Sequence, residues 1–140
     1  MKCRKFFKTI SFVLSLFMIF SLCACGNKEE AEEFETNSNF EYHFFPEDFE
    51  EKYSEATEVI DIEADKEYQI LLEATCMEGS MQIDVLKDGE IDTTYIVDNN
   101  SPCKESVNIL PNSVSEIDIV IHIDATTKGS VEGEIKTKEK

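Results

Sequence analysis

The side chains able to do chemistry in this chain are few and widely spaced. There are 2 histidines, His43 and His122, and 5 cysteines, Cys3, Cys23, Cys25, Cys76 and Cys103. Nucleophilic catalysis needs an imidazole set against a hydroxyl or thiol. No Gly-x-Ser-x-Gly or Cys-x-x-Cys run supplies a local sign of that arrangement. Two histidines and two distant cysteines also lack the ligand spacing of a zinc site. Calcium suits the oxygen-rich turns better: Asp84 to Asp92 and Asp98-Asn99-Asn100 cluster acids and amides, although neither follows the EF-hand order, and such residues also serve simply as solvated turns. With 30 Asp and Glu in the chain, a carboxylate pair for glycoside hydrolysis can be drawn almost anywhere, so none is singled out. The aromatic residues are more concentrated. Tyr42, Phe45, Phe49 and Tyr53 fall within one short segment and are the candidate ligand-facing rings. Their plainer role is to cover the edge or open end of a sheet.

The first 25 residues carry a different message. Lys2, Arg4, Lys5 and Lys8 form a basic start, and an apolar run from Ile10 to Leu22 follows before any acid appears. At 1.5 Å per residue this run is about 20 Å long, short of the roughly 30 Å that a membrane-spanning helix must cross. It reads as the hydrophobic region of a signal peptide. It ends in Leu22-Cys23-Ala24-Cys25, which resembles the lipobox of bacterial lipoproteins. The resemblance covers the leader alone. It implies cleavage between Ala24 and Cys25, attachment of palmitate-type acyl chains at Cys25, and a chain held on the outer side of the cell membrane. Two acyl chains would provide the double signal that stable anchoring needs. An uncleaved anchor or a plain secretory signal is the alternative.

Cleavage there removes four basic residues and no acid, so the mature chain is more acidic than the formal charge of −17 for the whole. Such a balance argues against a nucleic-acid partner, because phosphate backbones are bound by clustered Lys and Arg. Outside the cytoplasm a disulfide is permitted. Cys76 and Cys103 are the candidate pair, and a bridge would stabilise the fold by roughly 3 to 4 kcal/mol in the chain-entropy picture. Two separate thiols, with Cys76 a small core residue, are the other reading.

Four segments organise the chain: the leader at 1–24, the lipidated cysteine and an acidic flexible tether at 25–39, the aromatic segment at 40–56, and a strand-rich domain at 57–137. Phe40, Tyr42 and Phe44 alternate with polar residues as a short strand would. Pro46, followed by Glu47 and Asp48, then favours a short helix carrying Phe45, Phe49 and Tyr53 on one stripe. Beyond it, Tyr68 to Cys76, Met81 to Val85, Ile117 to Ile123 and Val131 to Ile135 alternate apolar and polar positions. Val59 to Ile62, Thr93 to Val97 and Ser106 to Leu110 do so less regularly. Turn residues separate them at Glu78-Gly79, Asp88-Gly89, Asn99 to Pro102, Pro111-Asn112 and Lys128-Gly129. Strands with a single apolar face require a second sheet over that face. The expected fold is therefore all-β: a small antiparallel β-sandwich of six to eight strands, immunoglobulin-like or jelly-roll-like, with a short N-terminal helix.

These features suggest a lipid-anchored extracytoplasmic module without catalytic activity that engages another envelope protein. Binding a cell-surface glycan as a carbohydrate-binding module is the alternative, and a small hydrolase using His43 or His122 is a weaker one.

Overall fold

The computed structural model describes residues 33–139. The leader, Cys25 and the first half of the acidic tether, 26–32, lie outside the described residues. Eight strands account for about two thirds of the described residues: β1 Glu35–Phe44, β2 Glu55–Asp61, β3 Lys66–Glu78, β4 Ser80–Lys87, β5 Glu90–Asp98, β6 Cys103–Ile109, β7 Glu116–His122 and β8 Lys128–Glu139. Each of the alternating runs becomes a strand because its apolar parity has a core to enter. In β7, Ile117, Ile119 and Ile121 are completely buried while the residues between them are not. In β3 the same alternation buries Tyr68, Ile70, Leu72 and Ala74.

The strands form two four-stranded sheets, ordered β1-β8-β3-β6 and β2-β7-β4-β5, with every pairing antiparallel. The first strand pairs with the eighth, the second with the seventh, the third with the sixth and the fourth with the fifth. One long antiparallel ribbon rolled into two layers has this pairing, so of the two expected topologies the jelly roll is the one adopted. The inner faces meet in a single apolar core that includes Leu72, Ile83, Val85, Val97, Ile119 and Val131.

Three expectations need correction. β1 begins at Glu35 rather than Phe40, so the last part of the expected tether belongs to the sandwich: Glu35 to Phe44 pair with Thr137 to Gly129 along the edge of the first sheet. A chain edge with unpaired β8 groups recruits these polar residues despite their charge.

The short helix is the second. It is replaced by two single 3₁₀ turns, Pro46–Asp48 and Glu51–Tyr53, with Phe49 and Glu50 extended between them. Glu47 would stand one turn from Glu50 and Glu51 in a continuous helix, and such like-charge pairs oppose propagation of a nucleus that is already costly.

Lys128-Gly129 is not a turn. The reversal occurs at Ala125-Thr126, and β8 has already begun at Lys128. Gly129 is there for a packing reason, since a Cβ would overlap the Thr75 carbonyl oxygen and crowd Cys76.

For the cysteines two readings were open, a bridge or separate thiols, and the structure has the second. Cys76 and Cys103 are both buried free thiols. The register sets Cys103 opposite Ala74, two positions from Cys76 on the same inner face. Diagonal neighbours of that kind lie about 7 to 8 Å apart, beyond the usual Cα separation of a bridge. Burial, with a smaller contribution from Glu105, pushes the Cys103 thiol up to about 11.

Candidate functional site

At one end of the sandwich the chain leaves β1 through the two 3₁₀ turns and enters β2. This passage encloses a hollow of about 220 Å³ whose floor and walls include Phe44, Phe45, Phe49 and Tyr53. Three of the four candidate aromatic residues are therefore gathered in one place. They converge because the extended link at Phe49 and Glu50 folds the segment back between its two turns. Phe45 is 42% exposed and Tyr53 60% exposed, unusual values for rings with an apolar core at hand. Lys52 Nζ lies 4.7 Å from the centre of the Tyr53 ring, a cation–π contact that steadies it from one side.

Tyr42 does not join them. Its ring faces inward, stacked nearly parallel to Phe44 at 6.3 Å, and its hydroxyl donates to Glu58 Oε2 at 3.0 Å. It thereby clasps β1 to β2, which are edge strands of opposite sheets. Burial, followed by the hydrogen bond to Glu58 and that residue's charge, pushes the phenol above its ordinary value.

Polar groups rim the hollow. His43, Asp48 and Glu55 border it, and Ile123 closes the side toward β7. His43 Nε2 is 2.6 Å from Glu41 Oε1. A recess with aromatic walls and carboxylate acceptors at its edge can take a ligand that has one apolar face and hydroxyl or amine donors around it.

Glu55 also belongs to a second arrangement, on the outer face of the second sheet. Its Oε2 is 3.4 Å from His122 Nδ1, and His122 Nε2 is 2.9 Å from Asp84 Oδ2. The register creates this row: His122 lies opposite both Glu55 and Gln82. Asp84 is only 4% exposed although it points outward. It is covered by hydrogen-bond donors: Thr94 Oγ1 at 2.6 Å and Gln82 Nε2 at 3.0 and 3.1 Å, besides His122. Burial opposes ionisation of Asp84, but the bonds from Thr94, Gln82 and His122 outweigh it and hold the carboxyl below its ordinary value. In sequence the only signal was His122 on the outer parity of its strand. Its partners come from β2 and β4, and nothing local reveals that β7 lies between them.

The outer face of the first sheet holds a wider groove of about 460 Å³, bordered by Asn39, Glu41, Leu71, Glu73, Glu132 and Glu134. Glu41, Glu132 and Glu73 stand side by side across three strands, an arrangement that costs stability through like-charge repulsion. Lys104, whose Nζ is 2.6 Å from Glu73 Oε1, relieves one end of the row.

The acids of the candidate calcium turns have partners within the chain. Asp88 accepts from Ser115 N, Ser115 Oγ and Glu116 N; Asp92 pairs with Lys87; Asp98 accepts from Asn100 N. Among the described residues, no three His, Cys, Asp or Glu side chains are grouped to hold a metal ion.

No family model matches the chain, and no curated protein matches it. Among solved structures it is similar to a CBM4 domain, at 10% identity and a TM-score of 0.37, over 61% of this chain and 61% of that one. It is similar also to the CBM36-1 domain of a multidomain xylanase from the hindgut metagenome of Trinervitermes trinervoides, at 11% identity and a TM-score of 0.35 over 61% of this chain and 71% of the other. A third is CBM28, a non-crystalline cellulose specific carbohydrate-binding module, at 12% identity and a TM-score of 0.38 over 75% of each chain. What these proteins share with the chain is the β-sandwich fold.

Proposed function

We propose that the protein is a non-catalytic binding module, anchored outside the cell membrane through lipid on Cys25, that takes a sugar unit of a glycan chain into the aromatic hollow. The observation that carries this reading is the gathering of Phe45, Phe49 and Tyr53 around one recess with Asp48 and Glu55 at its rim. A pyranose ring presents an apolar C–H face to an aromatic ring and hydroxyl groups at its edge, and carboxylates are the acceptors such hydroxyls need. At about 220 Å³ the recess is smaller than the roughly 300 to 1,000 Å³ of most small-molecule pockets. That size suits a single ring protruding from a chain. It does not suit the broad contact that an envelope protein would require, since a specific protein interface buries roughly 800 Å² on each partner.

The test is retention of the full chain, in detergent micelles, on immobilised β-glucan, xylan, mannan and peptidoglycan. Phe49→Ala and Tyr53→Ala are expected to weaken retention on the polysaccharide that binds by tenfold or more, while His43→Gln changes it little. Equal retention of wild type and both aromatic variants, or no retention on any of the four, would overturn the glycan reading. Anchoring is tested separately. Wild type should incorporate labelled palmitate and sediment with membranes in a bacterial host, whereas Cys25→Ser should do neither; labelling that persists in the variant would place the lipid elsewhere.

A further inference from the structure

The geometry points to His122 as a positioning residue for the hollow: when its imidazole is charged it holds the Glu55 carboxylate at the rim, and when neutral it lets that carboxylate go. This deepens the proposed binding role of the hollow and rests on that reading for its function, although not for its test.

The argument begins at Asp84. Its carboxylate accepts from Thr94 Oγ1 and twice from Gln82 Nε2, and is nearly closed off from solvent. An ionised carboxylate has lone pairs and no proton to give. The imidazole nitrogen facing it, Nε2 at 2.9 Å, must therefore carry hydrogen in both the neutral and the charged form of the ring. Asp84 thus fixes the tautomer, and the proton that comes and goes resides on Nδ1.

Nδ1 faces Glu55, with Oε2 at 3.4 Å. In the neutral ring this nitrogen is a bare lone pair opposite a carboxylate, so nothing holds Glu55 there. Protonation turns it into a charged donor, and the same separation becomes an attraction. Glu55 then retains its second oxygen, Oε1, as an acceptor while it stands at the edge of the recess. The pair is exposed, with side-chain accessibilities of 39% for His122 and 57% for Glu55. Its effect is accordingly orientation more than stability.

Other charges around the ring are accounted for. From β4 the facing titratable group is Asp84. From β5 the same rows contribute only Thr94 and Ile96, neither of which titrates. From β2 it is Glu55. Asp124, just beyond the end of β7, is engaged by Thr126 and Thr127. Across the hollow, Asp48 and His43 share the rim with Glu55, and His43 is paired with Glu41.

The experiment is a ligand-free NMR titration of the full chain in detergent micelles, following the imidazole nitrogens and the Glu55 side-chain carboxyl carbon. Below the His122 midpoint the pair should be populated about two- to fivefold more than above it. The Glu55 carbon is therefore expected to show, besides its own titration, a second step at that midpoint. The step should vanish in His122→Gln and persist in His43→Gln. Nitrogen shifts of the neutral ring should report hydrogen on Nε2, and Asp84→Asn should mix the tautomers. A Glu55 carbon with a single inflection, a step that survives His122→Gln, or a neutral ring protonated on Nδ1 would each overturn the proposal. Because no ligand is present, a failed glycan assay leaves this outcome untouched, and a missing step leaves the aromatic hollow's binding to be judged by retention alone.

Discussion

Asp84 is the residue at which a single substitution should be most informative. It is an acid on the solvent side of a sheet that has nevertheless been closed over by Thr94, Gln82 and His122. Its folded carboxyl sits below the ordinary 3.8. A depressed acid contributes stability that is fully present above the unfolded value and is lost as pH falls through the folded value. Acid unfolding of the wild type should therefore steepen below about pH 3.9, and Asp84→Asn should flatten that slope. At neutral pH the variant should lose about 1 to 3 kcal/mol, because an amide brings its own donors against three others. Chemical denaturation at pH 7 and pH 3 reads both effects; a variant as stable as wild type at pH 7 with an unchanged acid slope would contradict the network. Asp84 was visible in the sequence only as one more acid in a turn-rich stretch. Its burial depends on side chains from strands distant in sequence, and no local pattern encodes that.

At the scale of elements, alternation was enough to reveal all eight strands, because each has one parity that enters a shared core. The 3₁₀ turns were hidden for the opposite reason. The spacing of Phe45, Phe49 and Tyr53 fits a helix, and only the clustering of Glu47, Glu50 and Glu51 works against it. Glycines show the same division between local and tertiary causes. Gly89 lies in the two-residue hairpin between β4 and β5, after Asp88, with φ of 50° and 81° at the two positions. That Asp-Gly pair is legible as a turn from sequence. Gly129 looked like another turn and is instead a point where β8 presses on the Thr75 backbone. Gly129→Ala should destabilise by about 3 kcal/mol, since the obstacles are main-chain atoms that cannot swing aside. Gly89→Ala has open space around it and should cost only about 1 kcal/mol of backbone strain. Thermal unfolding of the two variants should rank them in that order; the reverse ranking would mean that the β3–β8 approach is looser than described.

For the molecule as a whole, the acidic excess is spread over outer faces, including the row of Glu41, Glu132 and Glu73. Self-repulsion of this kind favours solubility and works against association of copies, within the reach of salt screening. The hollow itself was half legible: its rings were identifiable as a group, but the inward turn of Tyr42 and the arrival of Glu55 from β2 depend on how the edges of the two sheets meet.

The rolled ribbon also fixes an order of events. Only β4 and β5 are partners adjacent in sequence, whereas β1 waits for β8 and β2 waits for β7. A chain ending at Thr127 would leave β1 with no neighbour and β3 with β6 alone. Such a truncation should show no cooperative unfolding transition and should be cut rapidly by protease, whereas the full chain resists; a protected truncation would mean that β8 is dispensable. Contacts of such long sequence separation make closure slow. During synthesis the ribosome therefore finishes nearly the whole chain before the sandwich can shut. Throughout that interval β1 has no partner and one edge of β3 stays open, so the first layer cannot close over the second.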